Sequence, residues 1–320
     1  MNWKMRRKEI RRAIKYPVLV FFIRLFILVF RFVPRTILLS VSTALGSLAF
    51  RLVGKERQKT INNLTKIYGN EKSAEQLKEM ARMVFVNQAL NFADYVHTLH
   101  YTTRSQFSAL IDVVGEEHLN EAYNKGKGVI CLMSHVGSWE FSAIMPPVLG
   151  YETTAISRAM PNERIEKLIV SYRQKRGMKN ISRGNAYSAL IDALKKGECL
   201  IIMIDQDTQT KGVFVDFFGM PAYTPVGAAR LAIDSGAPVL PMYMKRKSGN
   251  RHQFTILPAL ELIQTGNMDS DLHENTRRYT ETIEAIVKEV PEQWVWMHQR
   301  WKTTPEDVEL YLQKKREQKN

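Results

Sequence analysis

The chain has 320 residues, enough to bury a sizeable core, and carries 46 Lys and Arg against 32 Asp and Glu for a formal charge of +14, a balance that favours an anionic partner. Its two cysteines, Cys131 and Cys199, each sit in an apolar strand-like run, which excludes a disulfide framework or a cysteine metal site and fits a reduced compartment. Position along the chain narrows the partner. Before Tyr16, Lys4, Arg6, Arg7, Lys8, Arg11, Arg12 and Lys15 stand against a single acid, Glu9, and the chain then turns apolar from Pro17 to Val33. A basic block joined to an apolar segment suits an anionic lipid surface better than a DNA groove, and no nucleic-acid motif is present.

Arg24, Arg31 and Arg35, at spacings of seven and four, fall near one helical face, so the segment reads as an amphipathic interfacial helix. The next run, TILLSVSTALGSLAF from Thr36 to Phe50, is shorter than the roughly 20 apolar residues of a spanning helix. Region 1–53 is therefore expected to attach to a membrane, monotopically or by a single pass, with its basic end cytoplasmic if it spans. Buried helices of a soluble fold are the alternative. Arginines within the apolar part and the lack of a small-residue cleavage site argue against a secretory signal peptide.

Region 54–114 has a helical pattern, in which Ser73 is placed to cap a long helix through SAEQLKEMARMVFVNQALNFADYVHTL. From about Gly115 short β-rich runs alternate with polar periodic stretches, the pattern of an α/β fold. Strands are expected in GVICLMS from Gly128, TTAIS from Thr153, CLIIMI from Cys199, PVLPMYM from Pro238 and QFTILPAL from Gln253. Helices are expected over 162–176, 185–196, 226–234 and 271–290, with Thr224 and Pro225 as cap and first helical residue and Ser235-Gly236 as a stop. The α/β core is expected over 115–303 and a charged, fraying tail over 304–320.

The stretch GVICLMSHVGSWEFS puts a histidine and an acid just past a strand. On one continuous helix His135 and Glu140 would be rotated roughly 140° apart. A tight turn at Gly137 and a helix capped by Ser138 would instead let the Glu140 carboxylate reach one ring nitrogen, leaving the other at the carboxyl edge of the sheet, where open α/β sheets bind ligands. A histidine so oriented is a general base for an alcohol attacking an activated acyl group. The alternative gives His135 a loop hydrogen bond and sets Glu140 against the helix dipole.

A second acidic block, IIMIDQDTQTKGVFVDFFG, sets Asp205 and Asp207 after another strand, where they can hold site arginines, bind acceptor hydroxyls, or serve as turn and cap acids. No His or Cys spacing accompanies them, and a hydroxyl attacking a thioester needs no metal to supply the nucleophile, so neither metal nor cofactor is expected. Nor does any Ser or Cys stand in a nucleophile-elbow context. Phe217, Phe218 and Tyr223 suit an acyl groove or a core. PEQWVWMHQRWK gathers Trp294, Trp296 and Trp301 with His298, Arg300 and Lys302, a mixture suited to an interfacial belt or a phosphate pocket.

Taken in order, SHVGSWE, DQDTQTKGVFVDFFG and PEQWVWMHQRWK resemble the bacterial lipid A biosynthesis (late, secondary) acyltransferase family, and SHVGSWE is similar to the His-x4-acid block of glycerolipid-type acyltransferases. The resemblance spans nearly the whole chain. It implies a mixed sheet flanked by helices with an N-terminal membrane-associating segment, at the cytoplasmic face of the inner membrane. It also implies transfer of a fatty acyl chain from acyl carrier protein, or in some branches acyl-CoA, to a hydroxyl of a membrane glycolipid such as a lipid A precursor, or of a lysophospholipid or aminolipid. His135 would then be the base and Glu140 its partner, with Arg158 and Asn162 touching phosphate or the reacting oxyanion. Arg173, Asp205, Asp207 and Arg300 complete the expected substrate contacts. Asp216 stands where a less polar residue is expected, and Ser138 replaces a common Asn. The competing reading is a membrane-bound basic docking protein, which would need neither an acid-paired histidine nor a second acidic block.

Overall fold

The computed structural model describes residues 20, 23–25, 27–30, 32–157, 162–182, 186–208 and 210–309. The basic block before Tyr16, Arg31, Arg158 and most of the charged tail lie outside the described residues.

Seven strands form one mixed sheet in the order β1 (Ile111–Val114), β9 (His252–Ile256), β8 (Val239–Arg246), β2 (Val129–Met133), β5 (Cys199–Met203), β3 (Thr153–Ser157) and β4 (Met178–Ser182). Every pair is parallel except β8 with β9, which a short turn through Ser248–Asn250 connects. So short a connection returns the chain antiparallel, whereas parallel neighbours need a longer crossover. The five expected strands are all present, and β1 and β4 are additional. Both lie at the sheet edges, where a strand is covered on fewer sides; MKNIS in β4 is accordingly too polar, and IDVV in β1 too short, to stand out by periodicity.

The sheet is accompanied by the helices α1 (Arg35–Leu52), α2 (Gly54–Tyr68), α3 (Ala74–His97), α4 (Arg104–Ser108), α5 (Glu116–Tyr123), α6 (Trp139–Val148), α7 (Glu163–Gln174), α8 (Tyr187–Lys195), α9 (Gly227–Ser235) and α10 (Met268–Glu289). Ser73 caps α3 as expected, in a reciprocal capping box with Gln76. Gly236 ends α9 at φ +67°. Thr224 and Pro225, expected to open that helix, instead belong to a hairpin of β6 (Gly212–Phe217) and β7 (Met220–Pro225), where they pair with Val213 and Gly212. Phe218 at the hairpin tip has φ +57°, unusual for a bulky residue. Its backbone N–H donates to Glu284, and its ring lies 6.1 Å from that of Tyr68 and 5.9 Å from that of Trp296, so packing compensates the backbone strain.

Both faces of the central sheet are covered, which is why β2 is apolar at every position. Ile130 and Leu132 pack with Leu200 and Ile202 beneath α3, α8, α9 and α10. Val129, Cys131 and Met133 point the other way, with Cys199, Ile201 and residues of α5 and α6. Both cysteines are buried and free.

Helix α1 lies along α3, with Leu39 against Val86, Leu90 and Ala93. Gly46 permits this approach, since a Cβ there would come within 2.7 Å of the Val86 Cα. The other face of α1 exposes Ile37, Val41, Leu45, Leu48 and Leu52. Among the described residues no single helix is long and apolar enough to cross a membrane; α1 and α2 together are, but they meet at 90°.

Candidate active site at the carboxyl end of the sheet

Strands β2 and β5 run parallel in a register that puts Met133 beside Met203. Two residues further along each strand direction stand His135 and Asp205, and this register brings them together. The His135 backbone N–H donates to Asp205 Oδ2 at 2.7 Å, and the ring Nδ1 lies 2.8 Å from Oδ1. Trp294 Nε1–H adds a third donor to Asp205 at 2.9 Å. Burial alone would raise the pKa of this carboxyl, but attraction to His135 and these hydrogen bonds hold it well below the usual carboxylate range. Asp205 is therefore an anion and the Nδ1 carries the proton that faces it, so that in the neutral ring Nε2 presents a lone pair on the far side.

The chain leaves the site through a turn that only glycine fits. Gly137 has φ +53°, and a Cβ there would sit 1.8 Å from the Met244 carbonyl oxygen. Its N–H donates to the Gln293 carbonyl and its own carbonyl accepts from Asn91 Nδ2, which ties the loop to α3 and to the segment after α10. Ser138 precedes α6 as expected but makes no side-chain capping bond.

Here the expected partnership is corrected. Glu140 stands in the first turn of α6, yet its carboxylate accepts from Arg173 Nη2 at 2.9 and 3.2 Å, and Asp205 occupies the Nδ1 that Glu140 was expected to reach. The physical reason is the sheet register: a strand-end acid two residues beyond β5 meets the ring directly, while Glu140 rotates toward the cation on α7. Asp205 is correspondingly not an exposed contact for substrate, being 2 % exposed and committed to three donors.

The other expected contacts separate. Asp207 accepts from the backbone N–H and hydroxyl of Thr303, fixing the chain after the tryptophan-rich block. Arg300, expected on phosphate, is buried under the hairpin, donating to the Tyr223 carbonyl and Thr224 Oγ1 with its guanidinium 5.1 Å from the Phe217 ring. Burial lowers its pKa to about 10. Asn162 caps α7, accepting from the N–H groups of Arg164 and Ile165. Arg158 lies outside the described residues. Trp294 and Trp296 are fully buried behind Asp205, which places them in the core and not in an interfacial belt.

Two residues were missed as neighbours of His135. Gln206 Nε2 lies 3.0 Å from His135 Nε2 and 2.7 Å from His298 Nε2. The rings of His135 and His298 are 5.3 Å apart, and burial together with the nearby His135 lowers the His298 pKa to about 4. Gln206 was visible between the two aspartates, but only tertiary structure supplies His298. Beside the site a cavity of about 270 Å³ is lined by Gln88, Asn91, Phe92 and Tyr95 of α3 and by Ser138, Trp139 and Glu140. No group of His, Cys, Asp and Glu able to hold a metal occurs among the described residues.

Residues 5–303 match the family model described as bacterial lipid A biosynthesis acyltransferase. A lipid A biosynthesis acyltransferase of Haemophilus influenzae is 27 % identical over 292 residues, covering 89 % of this chain and 88 % of that protein. The lipid A biosynthesis lauroyltransferase of Escherichia coli is 25 % identical over 86 % of this chain and 88 % of its own. A phosphatidylinositol mannoside acyltransferase of Mycobacterium tuberculosis is 28 % identical over 58 % of each chain. The chain is an acyltransferase and belongs to the bacterial lipid A biosynthesis acyltransferase family.

Proposed function

We infer that the protein transfers a fatty acyl group from an acyl thioester, carried by acyl carrier protein or by coenzyme A, to a hydroxyl of a membrane glycolipid such as a lipid A precursor. The observation that carries this reading is an imidazole at the carboxyl end of the sheet, held at Nδ1 by a buried carboxylate, in a chain of this family. In the reaction His135 Nε2 takes the proton of the acceptor hydroxyl as its oxygen bonds to the thioester carbon. The C–S bond then breaks, and the imidazolium returns the proton to the leaving thiolate. Asp205 fixes the ring and its tautomer and stabilises the imidazolium, acting as a positioning residue. Backbone N–H groups or Arg158 would hold the oxyanion, typically ~3 kcal/mol per donor.

Arg173, which pairs with Glu140 beside the cavity, is a cation that would draw an anionic part of a substrate toward the base. The relatives named for lipid A and for a phosphatidylinositol mannoside favour a sugar-borne hydroxyl over a lysophospholipid. Region 1–53 would attach to the cytoplasmic face of the inner membrane. The exposed apolar face of α1 and its 90° junction with α2 support a helix lying in the interface over a single pass.

The test is acyl transfer from labelled acyl carrier protein into a total membrane lipid extract, with wild type and His135→Ala compared. Labelled glycolipid with the wild type alone is expected. Absence of transfer by the folded wild type from both acyl carrier protein and acyl-CoA would overturn the reading in favour of a basic docking protein.

A further inference from the structure

The lone pair that the reaction needs is already occupied. Because Asp205 is an anion facing Nδ1, the proton of the neutral ring is on Nδ1 and Nε2 can only accept. The group 3.0 Å from that lone pair is the Gln206 carboxamide nitrogen, and the same nitrogen lies 2.7 Å from His298 Nε2. Only the amide end of a glutamine can serve two such lone pairs, since it has two N–H groups where the carbonyl end has none. The backbone on either side is fixed: Asp205 by its three donors and Asp207 by Thr303. Movement at Gln206 is therefore confined to its side-chain torsions, and it is only half-buried.

We propose that Gln206, held by His298, is a removable cap on His135, and that the acceptor hydroxyl replaces its amide nitrogen at Nε2. The proposal rests on the acyl-transfer reading above and adds a reason for the second histidine. While the cap is in place, no water can donate to the base, and a bound thioester is not hydrolysed. When a hydroxyl of the acceptor arrives with the binding energy of the rest of the lipid, it donates to Nε2 in place of the amide, and the carboxamide turns aside. Base catalysis is thereby linked to occupancy by the acceptor. His298 is a positioning residue, acting through Gln206: its Nε2 fixes the second N–H of the amide and so the angle at which the first meets His135.

The experiment follows free fatty acid and acyl lipid released from labelled acyl carrier protein, with and without acceptor-containing lipid vesicles, for wild type, Gln206→Met and His298→Phe. Methionine keeps the bulk of glutamine and removes its donors. Without acceptor, Gln206→Met is expected to release fatty acid roughly fivefold to tenfold faster than wild type, the equilibrium effect of one net hydrogen bond. Its KM for acceptor should fall while kcat at saturating acceptor stays within a few-fold. His298→Phe, which leaves residue 206 intact, should move both readouts the same way by less. Acceptor-free hydrolysis no faster than wild type in both variants would overturn the cap.

A second readout needs no acyl chemistry. Carbethoxylation requires a free imidazole lone pair to attack the carbonyl carbon of diethyl pyrocarbonate, which expels ethyl carbonate, and peptide mapping can follow His135 alone. Faster modification of His135 in Gln206→Met supports the cap even if wild type transfers no acyl group to any lipid, an outcome that would sink only the acyl-transfer reading. Equal modification rates in the two proteins would remove the cap whatever the enzyme's substrates.

Discussion

Among the described residues two buried aspartates each pair with a histidine, and the two pairs differ in their surroundings. In one, Asp205 meets His135, whose side chain retains 18 % exposure and whose second nitrogen faces the half-buried Gln206. In the other, Asp94 meets His252 Nε2 at 2.9 Å with both side chains fully buried. Asp94 also holds Arg35 at 2.6 Å and Arg246 at 2.8 Å, while His252 Nδ1 has no partner among the described residues. Burial and the adjacent Arg246 lower the His252 pKa against the pull of Asp94, so the second pair remains neutral histidine and anion, locking α1 to α3, β8 and β9. The same two residue types leave one nitrogen facing the candidate site in the first pair, and form a structural tie where arginines and core surround the second.

Substitutions can break that contrast. His135→Ala should lower acyl transfer about 10⁴-fold, the upper range for a lost general base, with little change in unfolding midpoint; a comparable loss of stability would make the first pair a structural tie as well. Asp94→Ala should have the opposite profile, costing about 4 kcal/mol in denaturant unfolding because Arg246 is left as a buried, uncompensated charge, while the folded fraction keeps its activity. If activity per folded molecule collapsed in Asp94→Ala, the two pairs would not be separable.

A pH titration sharpens the comparison from the side of the unfolded state. The His298 pKa falls from 6.5 to about 4 on folding, so between those values the unfolded chain binds the extra proton and the folded chain does not. Stability from this group is therefore complete above pH 6.5 and lost as the pH drops toward 4, by roughly 3 kcal/mol. In His298→Phe the slope of stability against pH across that window should flatten; an unchanged slope would assign it to other groups. Smallest of all, Glu140→Gln should reduce kcat about tenfold, since Arg173 keeps a hydrogen-bond acceptor and loses only its counter-charge.

How much of this was legible in the sequence follows from which interactions are local. The strand at Val129, the glycine turn and the helix at Trp139 are set by a short stretch, and all three are present. The partner of His135 is not local: it depends on β2 lying beside β5 with Met133 opposite Met203, a neighbour relation that no periodicity encodes. A histidine and an acid five positions apart drew attention to Glu140, when the acid that reaches the ring stands 70 residues away. Arg300 and the tryptophans misled for a related reason. Their composition suits a phosphate or an interface, but the hairpin β6–β7 folds over them and turns the same groups into core. Aromatic bulk at a strand end was compatible with either outcome, and only the tertiary packing of Phe217 against Trp294 decided between them.

The central claim is that Asp205, and not Glu140, orients the base. Single-turnover acyl transfer by Asp205→Asn and Glu140→Gln, measured side by side at saturating thioester and acceptor, tests it most directly. The account predicts a loss of about 10³-fold or more for Asp205→Asn, through the wrong histidine tautomer, against about tenfold for Glu140→Gln. A reversed order, with Glu140→Gln the more damaging and Asp205→Asn close to wild type, would contradict it.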